Sequence, residues 1–415
     1  MIFFPVSRDI LTALDVGTST VQAAVAERSH TDGELRLLGV GTALSQGIRR
    51  GFVADGDDAS ACIRLCLEEA SRSAGVPIRS VLLAVGGGRV SVSASQGVVA
   101  VSRADGEIAP EDVRRAIAAA ESFVARSPNR EILHIIPREF RVDQEEGVRD
   151  PVGMHGVRLE VDALIVECSA PALRMLFKAV EGARVRVAEY IFSPLAASEA
   201  VLTKRQKELG VLLLDIGGGT ADFVVFEEGV PIHGGVLPVG GNHITNDIAL
   251  GFRAHVDIAE KIKLAYGSCL PESFGKKDAV EIAEFVPDEV GAYSRRELAE
   301  MVRARLGDIF ELIQKELKKI NRRELLPAGC VIVGGSARLP GLRELARAEI
   351  GLPVEIGSAD LFPEIETERT HEFATVLGTL LWADRRGKDG RGEWGAPFLS
   401  AGESALVRWL KSLLP

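Results

Sequence analysis

Two stretches of this chain align without a gap at an offset of two hundred residues: Leu14-Asp-Val-Gly-Thr-Ser-Thr-Val-Gln-Ala-Ala-Val-Ala-Glu27 and Leu214-Asp-Ile-Gly-Gly-Gly-Thr-Ala-Asp-Phe-Val-Val-Phe-Glu227. Each places an aspartate, Asp15 or Asp215, at the end of an apolar run. A turn of small residues follows: Gly17, Thr18 and Ser19 in the first copy, Gly217, Gly218, Gly219 and Thr220 in the second. Glycine leaves backbone N–H groups free to approach and donate to a phosphate. One such turn is only a tight turn. Two matching copies, each with an aspartate at the same place, could clamp one triphosphate between them. Asp15 and Asp215 would then face a shared Mg²⁺ through its water ligands, because Mg²⁺ dehydrates reluctantly.

The elements that must position these groups are legible around them. Val211-Leu-Leu-Leu214 is a continuous apolar run, as in a strand buried on both faces. The β-rich stretch Phe223–Phe226 resumes right after Thr220, so the turn closes a hairpin. A dinucleotide fingerprint would need a helix after the glycines, and a Walker loop would need Gly-Lys-Ser/Thr; neither fits. A third glycine turn lies at Cys330-Val-Ile-Val-Gly-Gly-Ser-Ala-Arg-Leu-Pro-Gly-Leu-Arg-Glu-Leu345. It reads as strand, turn at Gly334, Gly335 and Ser336, then a helix beginning near Pro340. Bared backbone there suits contact with a purine or an α-phosphate.

Composition bounds the function. The chain has 415 residues, a net charge of −10 and a pI near 5.4. Acidity disfavours a nucleic-acid role, which needs clustered Lys and Arg. No apolar run is long enough to span a membrane. The start Met1-Ile-Phe-Phe-Pro5 does not read as a secretory signal. Five cysteines do not suggest a disulfide framework. Cys62 and Cys66, four residues apart on a predicted helix, read as buried core rather than metal ligands. A reducing cytoplasm fits.

The order of two phosphate hairpins and then an adenosine turn resembles the superfamily of actin, sugar kinases and heat-shock chaperone ATPases. Its two connecting helices look like Ser193–Leu202 and Glu372–Trp382. Within it the chain is similar to the FtsA family over nearly its whole length. The segments Ile132–Gly147, Asp150–Arg158 and Pro238–Ala249 carry that likeness. It implies a two-lobed α/β actin-like fold, a duplicated ribonuclease H-like core with a small inserted α/β subdomain. The implied division is 1–84 for the first lobe, 85–168 for the insert and 169–203 for the return with the first connecting helix. The second lobe then runs over 204–358 and the second connecting helix over 359–383, with a flexible linker at 384–402 and an amphipathic helix at 403–415. Alternation over Val90–Val101 and Val157–Val166, and helical spacing from Pro110 and over Pro171–Val180, agree with the insert.

The resemblance also implies ATP and Mg²⁺ as cofactors. Glu260 and Lys263 would reach the ribose and base, and Glu199 would orient water, with hydrolysis weak or absent. It implies a divisome protein that polymerises on the cytoplasmic face of the inner membrane at the septum. That protein would tether the tubulin-like protein FtsZ and meet other division proteins. Arg295 and Arg296, on a charged helix, would meet the acidic FtsZ C-terminal tail. At the end of the chain, Leu406, Val407, Trp409, Leu410, Leu413 and Leu414 share one helical face opposite Arg408 and Lys411. Such a segment is too short to span a bilayer but fits its interface. The rival readings are a pilus-assembly relative of the PilM type and an enzyme of the sugar-kinase or chaperone class.

Overall fold

The computed structural model describes residues 9–29, 33–123, 129–286 and 291–389. β1 (Asp9–Val16) and β2 (Thr20–Arg28) form an antiparallel hairpin, and β3 (Leu35–Leu44) extends it. A short ladder of β4 (Ile48–Arg49) and β5 (Phe52–Val53) leads to α1 (Gly56–Ala74). Asp55 caps α1 by accepting from the N–H groups of Asp57 and Asp58, and Gly75 in the left-handed region ends it. β6 (Ser80–Val85) then lies parallel beside β1.

The inserted subdomain follows directly. β7 (Val90–Ala100), α2 (Pro110–Phe123), β8 (Arg130–Val142), β9 (Glu145–Val148) and β10 (Arg158–Ser169) make an antiparallel sheet, β7-β10-β8-β9, with α2 on one face. Gly97 sets that approach: a Cβ there would lie 2.0 Å from the Ala116 carbonyl oxygen. The chain returns through α3 (Ala170–Gly182), β11 (Arg186–Phe192) and α4 (Ser193–Val201), and α5 (Lys204–Leu209) crosses to the second lobe.

The second lobe repeats the first. β12 (Val211–Ile216), β13 (Ala221–Glu227) and β14 (Val230–Leu237) are antiparallel neighbours. After them come α6 (Gly241–Phe252), α7 (Val256–Tyr266), a ladder of β15 (Ala279–Glu281) with β16 (Ala292–Ser294), and α8 (Arg295–Lys319). β17 (Cys330–Val333), α9 (Leu342–Ile350) and β18 (Val354–Ile356) complete the lobe, and α10 (Ala374–Asp389) returns to the first. The strand orders β3-β2-β1-β6-β11 and β14-β13-β12-β17-β18 correspond position by position.

β12 is buried on both faces, as its apolar run predicts. Val211 and Leu213 pack into the core shared with lobe one, whereas Leu212, Leu214 and Ile216 face the helices of lobe two. Among those helices, α8 presents Leu298, Val302, Leu306, Ile309, Phe310, Ile313 and Leu317 at helical spacing, all fully buried. Each such side chain contributes about 1.5–3 kcal/mol. All five cysteines are buried and free.

Two boundaries differ from the sequence reading. α9 begins at Leu342, after Gly341 in the left-handed region, rather than near Pro340. α10 continues to Asp389, past Asp384 where a linker is expected. The residues that read as linker are held by charge: Asp384 pairs with Arg28, Arg385 with Glu199 and Arg386 with Glu189. The amphipathic segment 403–415 lies outside the described residues.

Candidate functional site

Both hairpins close in the same way. Gly17 N–H donates to the Thr20 carbonyl and Gly217 N–H to the Thr220 carbonyl, each at 3.0 Å. The turns face each other across the cleft and touch. A Cβ on Gly218 would lie 2.0 Å from Ser19 Oγ, and one on Gly219 2.5 Å from Thr18 Oγ1. Ser19 Oγ donates to Asn242 Oδ1 of the opposite lobe at 3.1 Å. Thr18 Oγ1 accepts from Gly51 N–H at 2.9 Å.

Three carboxylates gather beside the turns. Asp15 ends β1, Asp215 ends β12, and Asp222 lies directly across the β12–β13 ladder from Asp215. Burial, and then the charges of Asp215 and Asp222, push the Asp15 carboxyl up to about 7. Burial raises Asp215 to about 6 against the lowering effect of Thr375, whose Oγ1 donates to it at 3.1 Å. Burial and the Asp215 charge raise Asp222 to about 7. Gly87 N–H reaches Asp222 Oδ2 at 3.3 Å, while Asp222 Oδ1 is buried with no hydrogen-bond partner.

This arrangement fits a hydrated divalent cation. Among the described residues no three His, Cys, Asp or Glu side chains form a ready metal cage. Mg²⁺ uses one or two carboxylates together with water and phosphate oxygens. The orphaned Asp222 oxygen and the mutual repulsion of the three acids are what such an ion with its waters would satisfy.

The side of the cleft where the sequence leads one to expect adenosine is built on α6, α7 and the third glycine turn. Gly241 N–H and Asn242 N–H donate to the Gly217 and Gly218 carbonyls at 2.9 and 2.7 Å, fixing α6 to the second hairpin. Lys263 Nζ reaches Glu260 Oε2 at 2.7 Å, Thr245 Oγ1 at 2.9 Å and the Gly241 carbonyl at 3.2 Å. Ser336 Oγ lies 3.0 Å from where a Gly241 Cβ would stand. Gly334, at φ +88°, backs onto Asp215: a Cβ there would lie 2.3 Å from Asp215 Oδ1. Thus Asp215, Gly217, Gly218, Glu260, Lys263, Gly334 and Ser336 share one side of the cleft. Gly335 opens the 3₁₀ turn that carries Ser336.

Glu199 requires a correction. Its side chain is buried, with Oε1 2.6 Å from Lys207 Nζ and Oε2 bonded to Arg385. Both oxygens are committed to cations, so Glu199 ties α4, α5 and α10 together rather than orienting water. The two arginines of the expected partner surface also separate. Arg295 stacks on Phe274 and Tyr266 with centroid distances of 4.4 and 5.3 Å. Arg296 is exposed, pairs with Glu300 at 3.1 Å, and lines a 420 Å³ groove with Glu272, Arg303 and Glu349.

Asp222, Asn242, Thr245 and Thr375 were not singled out from sequence. For Asp222 the signal was present: it is the one charged residue inside the buried run Ala221–Phe226.

Comparison with known proteins places this architecture. A sequence model of the cell division protein FtsA matches residues 212–378, and one of the SHS2 domain inserted in FtsA matches 87–167. FtsA of Pseudomonas aeruginosa is 34% identical over 385 residues, covering 92% of this chain and 91% of its own length. FtsA of Bacillus subtilis is 33% identical, covering 92% and 85%, and that of Escherichia coli K12 is 33% identical, covering 93% of each. Among solved structures, the PilM-PilN type IV pilus biogenesis complex superposes with a TM-score of 0.67 at 19% identity, covering 89% of this chain and 97% of that one. MreB 5 of Spiroplasma citri bound to AMPPNP gives 0.53 at 15% identity, covering 93% and 98%. The structural likenesses show an actin-like fold; the sequence relatives show that the chain belongs to the FtsA family of cell-division proteins.

Proposed function

We propose that this chain holds ATP with Mg²⁺ between its lobes and works at the division septum as a polymerising anchor. It binds the cytoplasmic membrane face through its C-terminal tail and binds the FtsZ C-terminal tail through lobe two. The observation that carries the nucleotide reading is the pair of matched hairpins meeting across the cleft with three buried carboxylates beside them. Gly217, Gly218 and Gly219 offer backbone N–H groups to phosphate, joined by Gly17, Thr18, Ser19 and Thr220. Asp15, Asp215 and Asp222 would hold the metal through its waters, and Glu260, Lys263, Gly334, Gly335 and Ser336 would border the nucleoside. MreB 5, of the same fold, is a protein solved with AMPPNP. Bound Mg²⁺ would neutralise phosphate charge.

With Glu199 occupied by Lys207 and Arg385, ATP serves chiefly as a ligand joining the lobes, with slow turnover at most. In the groove beside Arg296, Arg296 pairs with Glu300 and Arg303 with Glu272, so an acidic peptide would bind there by exchanging its carboxylates for those glutamates. Arg295, stacked on two rings, shapes that region through packing. The tail residues Leu406, Val407, Trp409, Leu410, Leu413 and Leu414 give marginal membrane binding singly, on the scale of one acyl chain. A polymer sums such anchors.

Calorimetry of Mg-ATP binding tests the core of this reading. Asp215→Ala is expected to lower affinity by about 1.5–3 kcal/mol, the range for a charge-assisted contact. Unchanged affinity would sink the assignment. Charge reversal at Arg296 with intact FtsZ-tail binding would remove the groove from the partner site.

A further inference from the structure

The end of lobe one farthest from the hairpins carries a band of arginines. β6 and β11 run parallel, so their first residues lie side by side. Arg186 is in register with Ser80, and its N–H donates to the Arg79 carbonyl at 3.2 Å. Arg184 sits two residues earlier, at φ +67°. Arg72 lies in the last turn of α1, one short loop before Arg79. All four are exposed, and no ion pair holds any of them among the described residues. Arg103, Arg114 and Arg296, also exposed, sit in ion pairs, whereas exposed Arg64, Arg174 and Arg205 do not among the described residues; what sets the four apart is their grouping at one end of the sheet. Acids also lie near: Glu181 at the end of α3 and Glu68 and Glu69 on α1 are exposed, Asp9 on β1 pairs with Arg28, and Glu189 on β11 pairs with Arg386 at 3.6 Å.

The described chain leaves at this same end. α10 starts in the cleft, where Thr375 bonds Asp215, and runs about 15 Å to Asp384 and Arg385. Asp384 pairs with Arg28, which also holds Asp9 at the far end of β1 from Asp15. Asp389, the last described residue, therefore lies about one helical turn beyond these pairs, at the arginine end of lobe one.

From this juxtaposition we infer that the Arg72, Arg79, Arg184 and Arg186 end of lobe one docks against an anionic lipid bilayer, a second membrane contact beside the tail. The inference rests on the membrane reading above and extends it from an anchor to an orientation. A chain of net charge −10 is repelled as a whole by an anionic surface. Attraction falls off within a Debye length of about 10 Å, so only a face held close can feel it. The membrane anchor of the proposed function leaves the body at this end, which turns this face toward the bilayer, and the arginines then fix which side of the body meets the headgroups. The cleft is left at the opposite end of the sheet.

Vesicle flotation of the full chain tests this, using phosphatidylcholine alone and phosphatidylcholine mixed with phosphatidylglycerol. The variants are Arg79→Glu with Arg184→Glu and Arg186→Glu, the same three positions to Gln, and Trp409→Glu with Leu410→Glu. Each arginine near an anionic surface strengthens partition about fivefold, so neutralising three is expected to lower binding to the anionic vesicles about a hundredfold. Binding to neutral vesicles should stay unchanged, and the difference should shrink at raised salt. Thermal unfolding matching the parent chain establishes that the variants fold, and the Gln set serves if the Glu set does not. A triple variant that keeps the parental preference for phosphatidylglycerol overturns the proposal. So does tighter binding of duplex DNA than of anionic vesicles by the same arginines at equal salt. If the Trp409 and Leu410 variant floats like the parent, the tail reading fails, while the arginine face is still judged by its own variants.

Discussion

The two lobes share a strand order and a turn, yet they fill that turn in opposite ways. In lobe one the turn carries Thr18 and Ser19, whose side chains project across the cleft. In lobe two the facing positions are Gly219 and Gly218, with no room for a side chain. Across the ladder, Asp15 faces Gln22, whereas Asp215 faces Asp222. One half of the duplication supplies bulk and the other supplies space and the extra charge. The connecting helices diverge in the same sense. α4 is short and buried almost throughout, while α10 is long and ends in a charged turn. Duplication gave two equivalent frames, and complementarity between them requires that they no longer be the same.

The largest effect is expected where the two connecting helices cross. A Cβ on Gly378 would lie 1.8 Å from the Ala196 carbonyl oxygen, a backbone atom that cannot swing aside. Gly378→Val should destabilise the chain by about 3 kcal/mol or more, the upper range for overpacking. Denaturant midpoints measure this. A loss under about 1 kcal/mol would mean that the crossing is looser than the geometry states.

Next comes the buried ion group of Glu199, Lys207 and Arg385, which joins α4, α5 and α10. Glu199→Ala leaves Lys207 buried over the Phe226 ring without its carboxylate. The expected loss is about 3 kcal/mol, near the lower end for breaking a buried pair because Arg385 is partly exposed. Nucleotide affinity, measured well below the unfolding transition, should change little. A collapse of hydrolysis with unaltered stability would restore Glu199 to a catalytic role.

A smaller and more diagnostic effect follows from exchanging volume between the hairpins. Gly218→Ala forces Ser19 to move and to give up Asn242, at about 1–3 kcal/mol. Adding Ser19→Gly should recover part of that loss, because the methyl then occupies the space of the removed hydroxymethyl group. Full additivity of the two losses would show that the hairpins do not press on each other.

Legibility in the sequence followed locality. The hairpins could be read because strand, aspartate and glycine turn are contiguous and occur twice. The insert was implied by the family resemblance, and alternation over Val90–Val101 and helical spacing after Pro110 agreed with it. Glu199 was misread because its partners, Lys207 and Arg385, lie 8 and 186 residues away. A lone carboxylate on a helix gives no sign of which cations will reach it. The charged turn of α10 was misread for the same reason: Arg28, Glu189 and Glu199 fix it from distant elements. Asp222 was visible but overlooked, since a charge inside an all-buried strand signals a site even without its neighbours.

The smallest expected effect concerns what lobe one has and lobe two lacks, the inserted subdomain. His134 on β8 is buried, and its Nε2 accepts the Phe192 N–H at 2.9 Å, just where β11 turns into α4. Burial, helped by the Arg386 charge, lowers its pKa from 6.5 to about 3. The sign is fixed by where the proton goes. Between those values the unfolded chain takes up a proton that the folded chain refuses. This contribution is therefore complete above about pH 6.5 and is lost as pH falls, by up to about 1.4 kcal/mol per pH unit. His134→Gln keeps an acceptor for the Phe192 N–H and removes the titration. The parent should lose more stability than this variant on going from about pH 7 to about pH 5.5, whatever the other groups contribute to both. Equal losses would mean that the insert is not fastened to the first connecting helix through a neutral His134, and that the asymmetry between the lobes lies elsewhere.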